Sequence, residues 1–311
     1  IYTGEDTLSL HDALPISDTF AFFTRNPRGG RAKELDLADV EAFLHYKDEH
    51  DIGTLVAHAP YTMNACAAKE NLRRFAHEAM ADDLQRLEHL PGNLYNFHPG
   101  SHVGQSAEQG IALIAKQLND VLTPDQQTTV LLETMAGKGT EVGRTFEELR
   151  AIIDRVELSA KLGVCLDTCH AHAAGLGLDG LVDRVRAITG RIDVVHCNDS
   201  RDVEGSGADR HANLGEGFAD ADALVALVRA ADTWTILETP GGVPEHERDL
   251  AWLRERLATP AEAGTIIVIH HPPLPPLQDA AWGWVLAHPE ELADVVRGTD
   301  VRALLDRKSV V

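Results

Sequence analysis

Nine histidine and carboxylate side chains occupy matching places in a repeated pattern of apolar segments. Six of them end short segments rich in β-branched residues, and three follow shortly after such segments. Imidazole and carboxylate groups are ligands of Zn²⁺ or Mn²⁺, and clustered ions of this kind support hydrolysis without a protein nucleophile. The nine residues are His58, His98, Glu133, Asp167, His170, His196, Asp209, His211 and Glu238.

Each of the nine also has an ordinary structural interpretation. A single histidine near a strand end is more often a hydrogen-bonded core or loop residue, and Glu133 or Glu238 alone could pair with a buried arginine. Carboxylates brought together without a cation would repel one another and raise each other's pKa values. Recurrence at the same end of successive segments therefore favours a shared metal site over independent coincidences.

The elements that must position these residues alternate between strand and helix. Repeated βα units predict an α/β fold with a parallel sheet, namely a (β/α)8 TIM barrel that lacks its first βα unit. The nine side chains would then meet at the carboxyl ends of the strands, where barrel active sites lie. The predicted strands are residues 19–23, 54–60, 94–100, 129–135, 163–168, 192–199 and 233–240, and the predicted helices include 37–50, 69–90, 107–122, 146–162 and 221–231.

Composition limits the class of protein. The 311 residues carry a formal charge of −21, which argues against binding nucleic acid by bulk electrostatics and requires any such contact to be local. No long apolar run or secretory leader is evident, so we expect a cytoplasmic protein without membrane contact. The four cysteines form no CxxC pair and are expected to be reduced thiols, mostly in the core.

The two ends differ from the middle of the chain. Residues 1–17, with the string LSLHDALPIS, and residues 306–311 resemble translated sequencing adapters, and the barrel is expected to span residues 18–258. Residues 259–305, with TIIVIHHPPLPP, resemble a short αβ fragment of a calcineurin-like metallophosphoesterase, in which His270 would be a metal ligand. The other metal-ligand motifs of that family are not found in the expected positions, and one ligand cannot hold a metal site, so we expect the tail to have no activity.

The central segments resemble the endonuclease IV family of zinc-dependent apurinic/apyrimidinic endonucleases. The matching strings include FFTRNPRGG, HAPY, FHPGSH, LLETMAGKG, GVCLDTCHAHAAG, VVHCNDS, DRHANLGEG and ILETP, in unbroken order over about three quarters of the chain. The resemblance implies a TIM barrel of the xylose isomerase type. It also implies base excision repair, in which double-stranded DNA is cut 5′ to an abasic site to leave a 3′-hydroxyl, and blocked 3′ ends are trimmed.

The same resemblance implies roles for individual residues. One zinc would be held by His58, His98 and Glu133, a second by Glu133, Asp167, His196 and Glu238, and a third by His170, Asp209 and His211, with Mn²⁺ possible at one site. Glu133 and Glu238 would act in catalysis as metal-held groups. Arg28 and Tyr61 would contact DNA near the lesion, although Arg28 could equally be a solvated loop cation. The protein is expected to be a monomer.

Two alternatives remain open at this point. A truncated chimeric product would keep the metal site but have little or no activity, because a barrel without its first strand exposes the edges of two neighbours. A metal-dependent sugar isomerase on a related barrel is the second alternative, although such an enzyme does not require the FHPGSH and DRHANLGEG strings.

Overall fold

Seven short parallel strands form a nearly closed sheet. The computed structural model describes residues 21–28, 30–49, 52–241 and 243–257, together with two later strands. Each of the first six pairs in parallel with the next of the seven. They are β1 (Ala21–Phe23), β2 (Val56–His58), β3 (Leu94–Phe97), β4 (Thr129–Glu133), β5 (Leu162–Asp167), β6 (Val194–His196) and β9 (Trp234–Leu237). The predicted TIM barrel fold is confirmed.

Helices follow the strands and cover the outside of the sheet. They are α1 (Leu37–Glu49), α2 (Glu70–Leu87), α3 (Ala107–Val121), α4 (Phe146–Ile153), α5 (Thr168–Ala173), α6 (Leu181–Thr189), α7 (Ala221–Ala231) and α8 (Val243–Leu257). Ser106 begins α3 with a reciprocal capping box to Gln109. Thr145 and Asp220 each accept a backbone N–H at the starts of α4 and α7, so polar residues in the sequence fix where these helices begin.

The hydrophobic core has two parts, as expected for a barrel. The larger part lies between the strands and the helices. The smaller part draws one buried residue from each of six strands: Ala21, Val56, Leu131, Cys165, Val194 and Ile236. Such a layer fills the interior of a parallel barrel, so the interior is packed and the functional groups must lie at its end.

Several predicted elements end earlier than expected, and one helix and one strand show what replaces their ends. The helix expected at 146–162 ends at Ile153, because the following turn is held by Asn119 of α3, which bonds Arg155 O and Glu157 N. The strand expected at 192–199 stops at His196. Beyond it, β7 (Asp199–Ser200) pairs in antiparallel fashion with β8 (His211–Ala212), forming a small hairpin that the apolar pattern does not reveal.

Two further strands continue the sheet beyond β9. The strand β10 (Thr265–Ile269) pairs in parallel with β9, and β11 (Val301–Leu305) pairs in parallel with β10. A strand was predicted at the start of the tail, but His270 and both adapter-like ends lie outside the described residues. The domain boundaries at 17, 258 and 305 therefore stay predictions. In the described part of the chain, no helix is both long and apolar enough to cross a membrane.

A buried ion pair fixes the loop after β1. The Arg25 guanidinium donates to Asp83 of α2 at 2.7 and 2.9 Å, to Asp82 at 2.6 Å and to the Gly30 carbonyl at 3.3 Å. The Tyr95 hydroxyl of β3 donates to the other oxygen of Asp83 at 2.8 Å. Burial raises the pKa of Asp83, and these donors oppose that shift. The network joins the loop that carries Arg28 to the body of the barrel.

Replacing Tyr95 with Phe is expected to lower the free energy of unfolding by about 1–3 kcal/mol, because a buried carboxylate loses a hydrogen-bond donor. Urea denaturation of wild type and variant measures the change through the midpoint at an unchanged slope. Equal midpoints would show that the Tyr95 hydroxyl contributes nothing to the network.

Candidate metal centre

Glu133 lies at the centre of the predicted cluster, at the carboxyl end of β4. One of its oxygens is 3.4 Å from His58 Nε2 and 3.3 Å from His98 Nε2. The other is 3.3 Å from His170 Nδ1 and 3.4 Å from His196 Nδ1. The Glu133 side chain is fully buried, so four imidazoles from four different segments converge on one carboxylate.

His196 extends the cluster towards the last strand of the barrel. Its Nδ1 lies 3.3 Å from a Glu238 oxygen and 3.8 Å from Asp167 Oδ2. Ligand-type atoms of Glu133, Asp167, His196 and Glu238 all lie within 4.8 Å of one another. These four residues come from the ends of β4, β5, β6 and β9, so the closure of the sheet brings them together.

A third set of residues lies beside the first two. Asp209 Oδ1 is 3.2 Å from His170 Nε2 and 3.3 Å from His211 Nε2. His211 Nε2 also lies 3.7 Å from Asp167 Oδ2, which links this set to the second. All nine residues singled out in the sequence therefore belong to one cluster.

Backbone carbonyls orient three of the histidines. Nδ1 of His58 is 2.6 Å from Ala59 O, Nδ1 of His170 is 2.8 Å from Thr134 O, and Nδ1 of His211 is 3.0 Å from Glu238 O. A carbonyl oxygen only accepts, so Nδ1 carries the proton and donates in each contact. In the neutral ring Nε2 then keeps its lone pair and points into the cluster, the orientation that a metal ligand needs.

Two asparagines that the sequence did not single out hold the carboxylates in place. Asn96 of β3 donates to Glu133 Oε2 at 2.5 Å. Asn198 donates to Asp167 Oδ2 at 2.8 Å and accepts the Glu238 backbone N–H at 2.8 Å. Both are fully buried and stand within two residues of a predicted ligand. Their proximity to His98 and His196 is the signal that could have identified them.

The charges of the cluster balance one another. Burial alone would raise the pKa of Glu133, but His98 and His196 hold it well below its ordinary value. Burial alone would lower the pKa of His170, but Asp167 and Asp209 raise it well above its ordinary value. The carboxylates are therefore ionised while nearby imidazoles hold protons. Divalent cations can take the place of those protons, since metal binding at such ligands releases them.

The donor atoms fit a group of divalent cations. His58 Nε2, His170 Nε2, His196 Nδ1 and Glu133 Oε1 are buried and make no hydrogen bond within the described part of the chain. Buried polar atoms without partners are rare in proteins, and an ion is one of the explanations for them. All four atoms face the cluster. Imidazole and carboxylate donors are also the ligands expected of zinc or manganese.

Asp199 fixes the loop that supplies Asp209 and His211. Its buried carboxylate accepts the backbone N–H groups of Ser200, Gly215, Gly217 and Ala219 at 2.7 to 3.0 Å. A Cβ at Gly217 would lie 2.2 Å from Ser200 O and 2.4 Å from Asp199 Oδ1, so only glycine fits there. Gly217, the last residue of DRHANLGEG, thus has a packing role.

A cleft of about 660 Å³ opens over the cluster. Tyr61 contributes to its wall, with its ring centroid 5.5 Å from that of His58 and 6.0 Å from that of His98. Arg28 is exposed in the loop after β1 and does not line the cleft. Two arginines that the sequence pattern did not single out, Arg201 and Arg210, do line it. The cleft therefore joins predicted ligands to two arginine side chains.

The cysteines are free and buried within the described residues, in agreement with the prediction. Burial raises the pKa of Cys165 and Cys169 to about 12. Their sulfur atoms lie near the cluster, and each falls in a group that could bind an ion. As neutral thiols they act as small apolar side chains of the barrel wall.

Comparisons with known proteins agree with this geometry. The family model described as xylose isomerase-like TIM barrel matches residues 17–256. The probable endonuclease 4 of Akkermansia muciniphila is 50% identical over 253 residues, which is 78% of this chain and 91% of that protein. The probable endonuclease 4 of Alkaliphilus oremlandii is 48% identical over 261 residues, 81% of this chain and 91% of that protein.

A solved structure of an endonuclease IV is also similar to this chain. The crystal structure of endonuclease IV from Thermus thermophilus superposes with a TM-score of 0.69 at 33% identity, covering 78% of this chain and 90% of that one. The chain belongs to the endonuclease IV family. It is a DNA-hydrolysing nuclease of DNA repair, as the motifs predicted, and family membership favours this activity over that of a sugar isomerase.

Replacing Gly217 with Ala is expected to lower the free energy of unfolding by about 1–3 kcal/mol, because the new methyl group overlaps the Ser200 carbonyl and the loop must shift. Thermal or urea unfolding measures the loss. Glu216→Ala is the matched control, since Glu216 is the exposed neighbour in the same loop and its change should stay within about 0.5 kcal/mol. An unaltered Gly217→Ala protein would contradict the tight packing around Asp199.

Proposed function

We propose that this chain cuts double-stranded DNA on the 5′ side of an abasic site and leaves a 3′-hydroxyl. The observation that carries the proposal is the convergence of four imidazoles on the buried Glu133 carboxylate, at the base of an open cleft. Membership in the endonuclease IV family supports the choice of DNA as substrate.

The nine residues would hold three zinc ions in the sets that the motifs imply. His58, His98 and Glu133 form one set, Glu133, Asp167, His196 and Glu238 the second, and His170, Asp209 and His211 the third. Bound there, the ions would supply Lewis-acid activation of the phosphodiester and of the attacking water. Manganese at one site remains an alternative to zinc.

The protein's own residues orient and enclose the reaction. Asn96 and Asn198 hold the Glu133 and Asp167 carboxylates in fixed directions, so little reorganisation is needed when charge develops on the phosphate. The buried faces of His58 and His196 exclude bulk water from the base of the cleft. No serine, cysteine or lysine is needed as a nucleophile, and the raised pKa values of Cys165 and Cys169 keep both thiols unreactive.

Tyr61 is proposed to contact DNA at the lesion. Its side chain is 45% exposed and stands at the rim beside His58 and His98. A nucleotide without a base is easy to displace from the helical stack, so an aromatic side chain can occupy the vacated space at low cost. Arg28, exposed in the neighbouring loop, is proposed to contact the same region. Trimming of blocked 3′ ends, action as a monomer and a cytoplasmic location belong to the same proposal.

Zinc-loaded protein is expected to nick a labelled duplex that contains one abasic site and to leave the undamaged duplex intact. A chelator should abolish the nicking, and a DNA polymerase should extend the product, which shows a 3′-hydroxyl. If folded, zinc-loaded protein cuts neither duplex, the chain is the inactive chimeric product considered above.

A pair of neighbouring histidines separates a ligand role from a packing role. His170 faces Asp209 within the cluster. Two residues away, the His172 side chain has one hydrogen-bond partner among the described residues, the Asp202 carbonyl at 3.1 Å. His170→Gln should lower the nicking rate at least about tenfold. His172→Gln should leave it within about twofold. Equal effects of the two substitutions would contradict the proposed third metal site.

A further inference from the structure

Large apolar side chains are exposed on one face of the barrel. Within the described residues, each large apolar side chain that is strongly exposed lies either in a loop that follows a strand or in the first turn of the next helix. Both places lie at the carboxyl ends of the strands, the face that holds the cluster. These side chains are Leu37, Tyr61, Leu72, Val103, Val203 and Phe218. Apolar exposure confined to one functional face indicates a binding surface, whereas scattered exposure is ordinary.

Phe218 is the most exposed of this group, at 62%. It lies within the loop that Asp199 fixes, between Gly217 and Ala219, and its backbone N–H donates to Ser200 O at 2.8 Å. Ser200 precedes Arg201, which lines the cleft. The hydrogen bond therefore holds the backbone of this exposed aromatic residue against the residue that precedes Arg201.

The two arginines of the cleft differ in their partners. Arg210 forms a bidentate ion pair with Asp202, so its charge is compensated. Among the described residues, the Arg201 guanidinium has neither a hydrogen-bond partner nor an ion-pair partner, although the Arg201 backbone N–H bonds Arg210 O at 2.9 Å. Arg201 is exposed and its cation is available to an incoming anion.

We propose that Arg201 and Phe218 form a contact site for one DNA strand beside the metal cluster, with Arg201 on a backbone phosphate and Phe218 against the face of a sugar or base. The proposal rests on the proposed function and deepens it by naming residues that hold the substrate. An arginine matches phosphate geometry with paired donors, and an exposed aromatic ring contacts nucleotides regardless of sequence.

The overall charge makes a local cation necessary. At a formal charge of −21 the protein repels a polyanion, and the cleft itself contains Asp209 and Glu238. An uncompensated guanidinium at the rim offsets that repulsion where the strand must approach. The rigid backbone of the Asp199 loop means that little conformational entropy is lost when Phe218 packs against the strand.

Arg201→Gln is expected to raise the KM for the abasic duplex about tenfold with little change in kcat. The slope of log KM against log salt concentration should fall by about one, the value for one lost phosphate contact. Arg150→Gln is the matched control. It removes the same charge from the exposed last turn of α4, at the opposite end of the barrel, and should leave KM within about twofold.

Phe218→Ala should raise KM about fivefold or more, whereas Phe218→Tyr, which keeps the ring, should restore it to within about twofold of wild type. Binding of a duplex already nicked at the abasic site, followed by fluorescence anisotropy, gives the same comparison without turnover. If wild type nicks the abasic duplex but Arg201→Gln and Phe218→Ala match it in KM and anisotropy, the contact site is wrong and the proposed function stands. If wild type does not nick, the proposed function itself fails.

Discussion

The structure depends on a fully buried carboxylate surrounded by imidazoles. Glu133 has four histidine nitrogens at 3.3 to 3.4 Å. An ionised carboxylate is costly to bury unless positive charge surrounds it, so removing that positive charge would leave the interior of the barrel with an uncompensated ion. Glu133 also belongs to two of the three sets of donors. Glu133 therefore links the folding of this end of the barrel to the proposed metal site.

The barrel supplies what a single loop could not. Parallel strands end at the same face, so side chains separated by up to 180 residues, from His58 to Glu238, meet there. The interior layer from Ala21 to Ile236 supports the cluster from below. Asn96 and Asn198 fix the directions of two predicted ligands, and Asp199 fixes the DRHANLGEG loop, through hydrogen bonds of fully buried side chains. Placement of the cluster thus comes from the strand ends together with one loop that hydrogen bonds hold in a fixed shape.

Much of this arrangement could be predicted because the signals are local. A polar residue at the end of an apolar strand, as at His58 or Asp167, is visible in the sequence, and the parallel topology follows from the βα repeat. The strand-end pattern did not reveal Asn96 or Arg201, because their roles depend on which distant groups they face. The early end of α4 at Ile153 depends on Asn119 of another helix. The β7–β8 hairpin rests on only two paired residues in each strand, too few for a periodic signal.

Glu133 belongs to two sets of donors, so the zinc content of a single Glu133 variant shows whether two ions depend on it. Native mass spectrometry of wild type and Glu133→Gln, both loaded with zinc and both shown to be folded by circular dichroism, compares the bound equivalents. The variant is expected to lose more than one zinc relative to wild type, because two ions would lose the same ligand. Loss of a single zinc, or of none, would contradict that expectation.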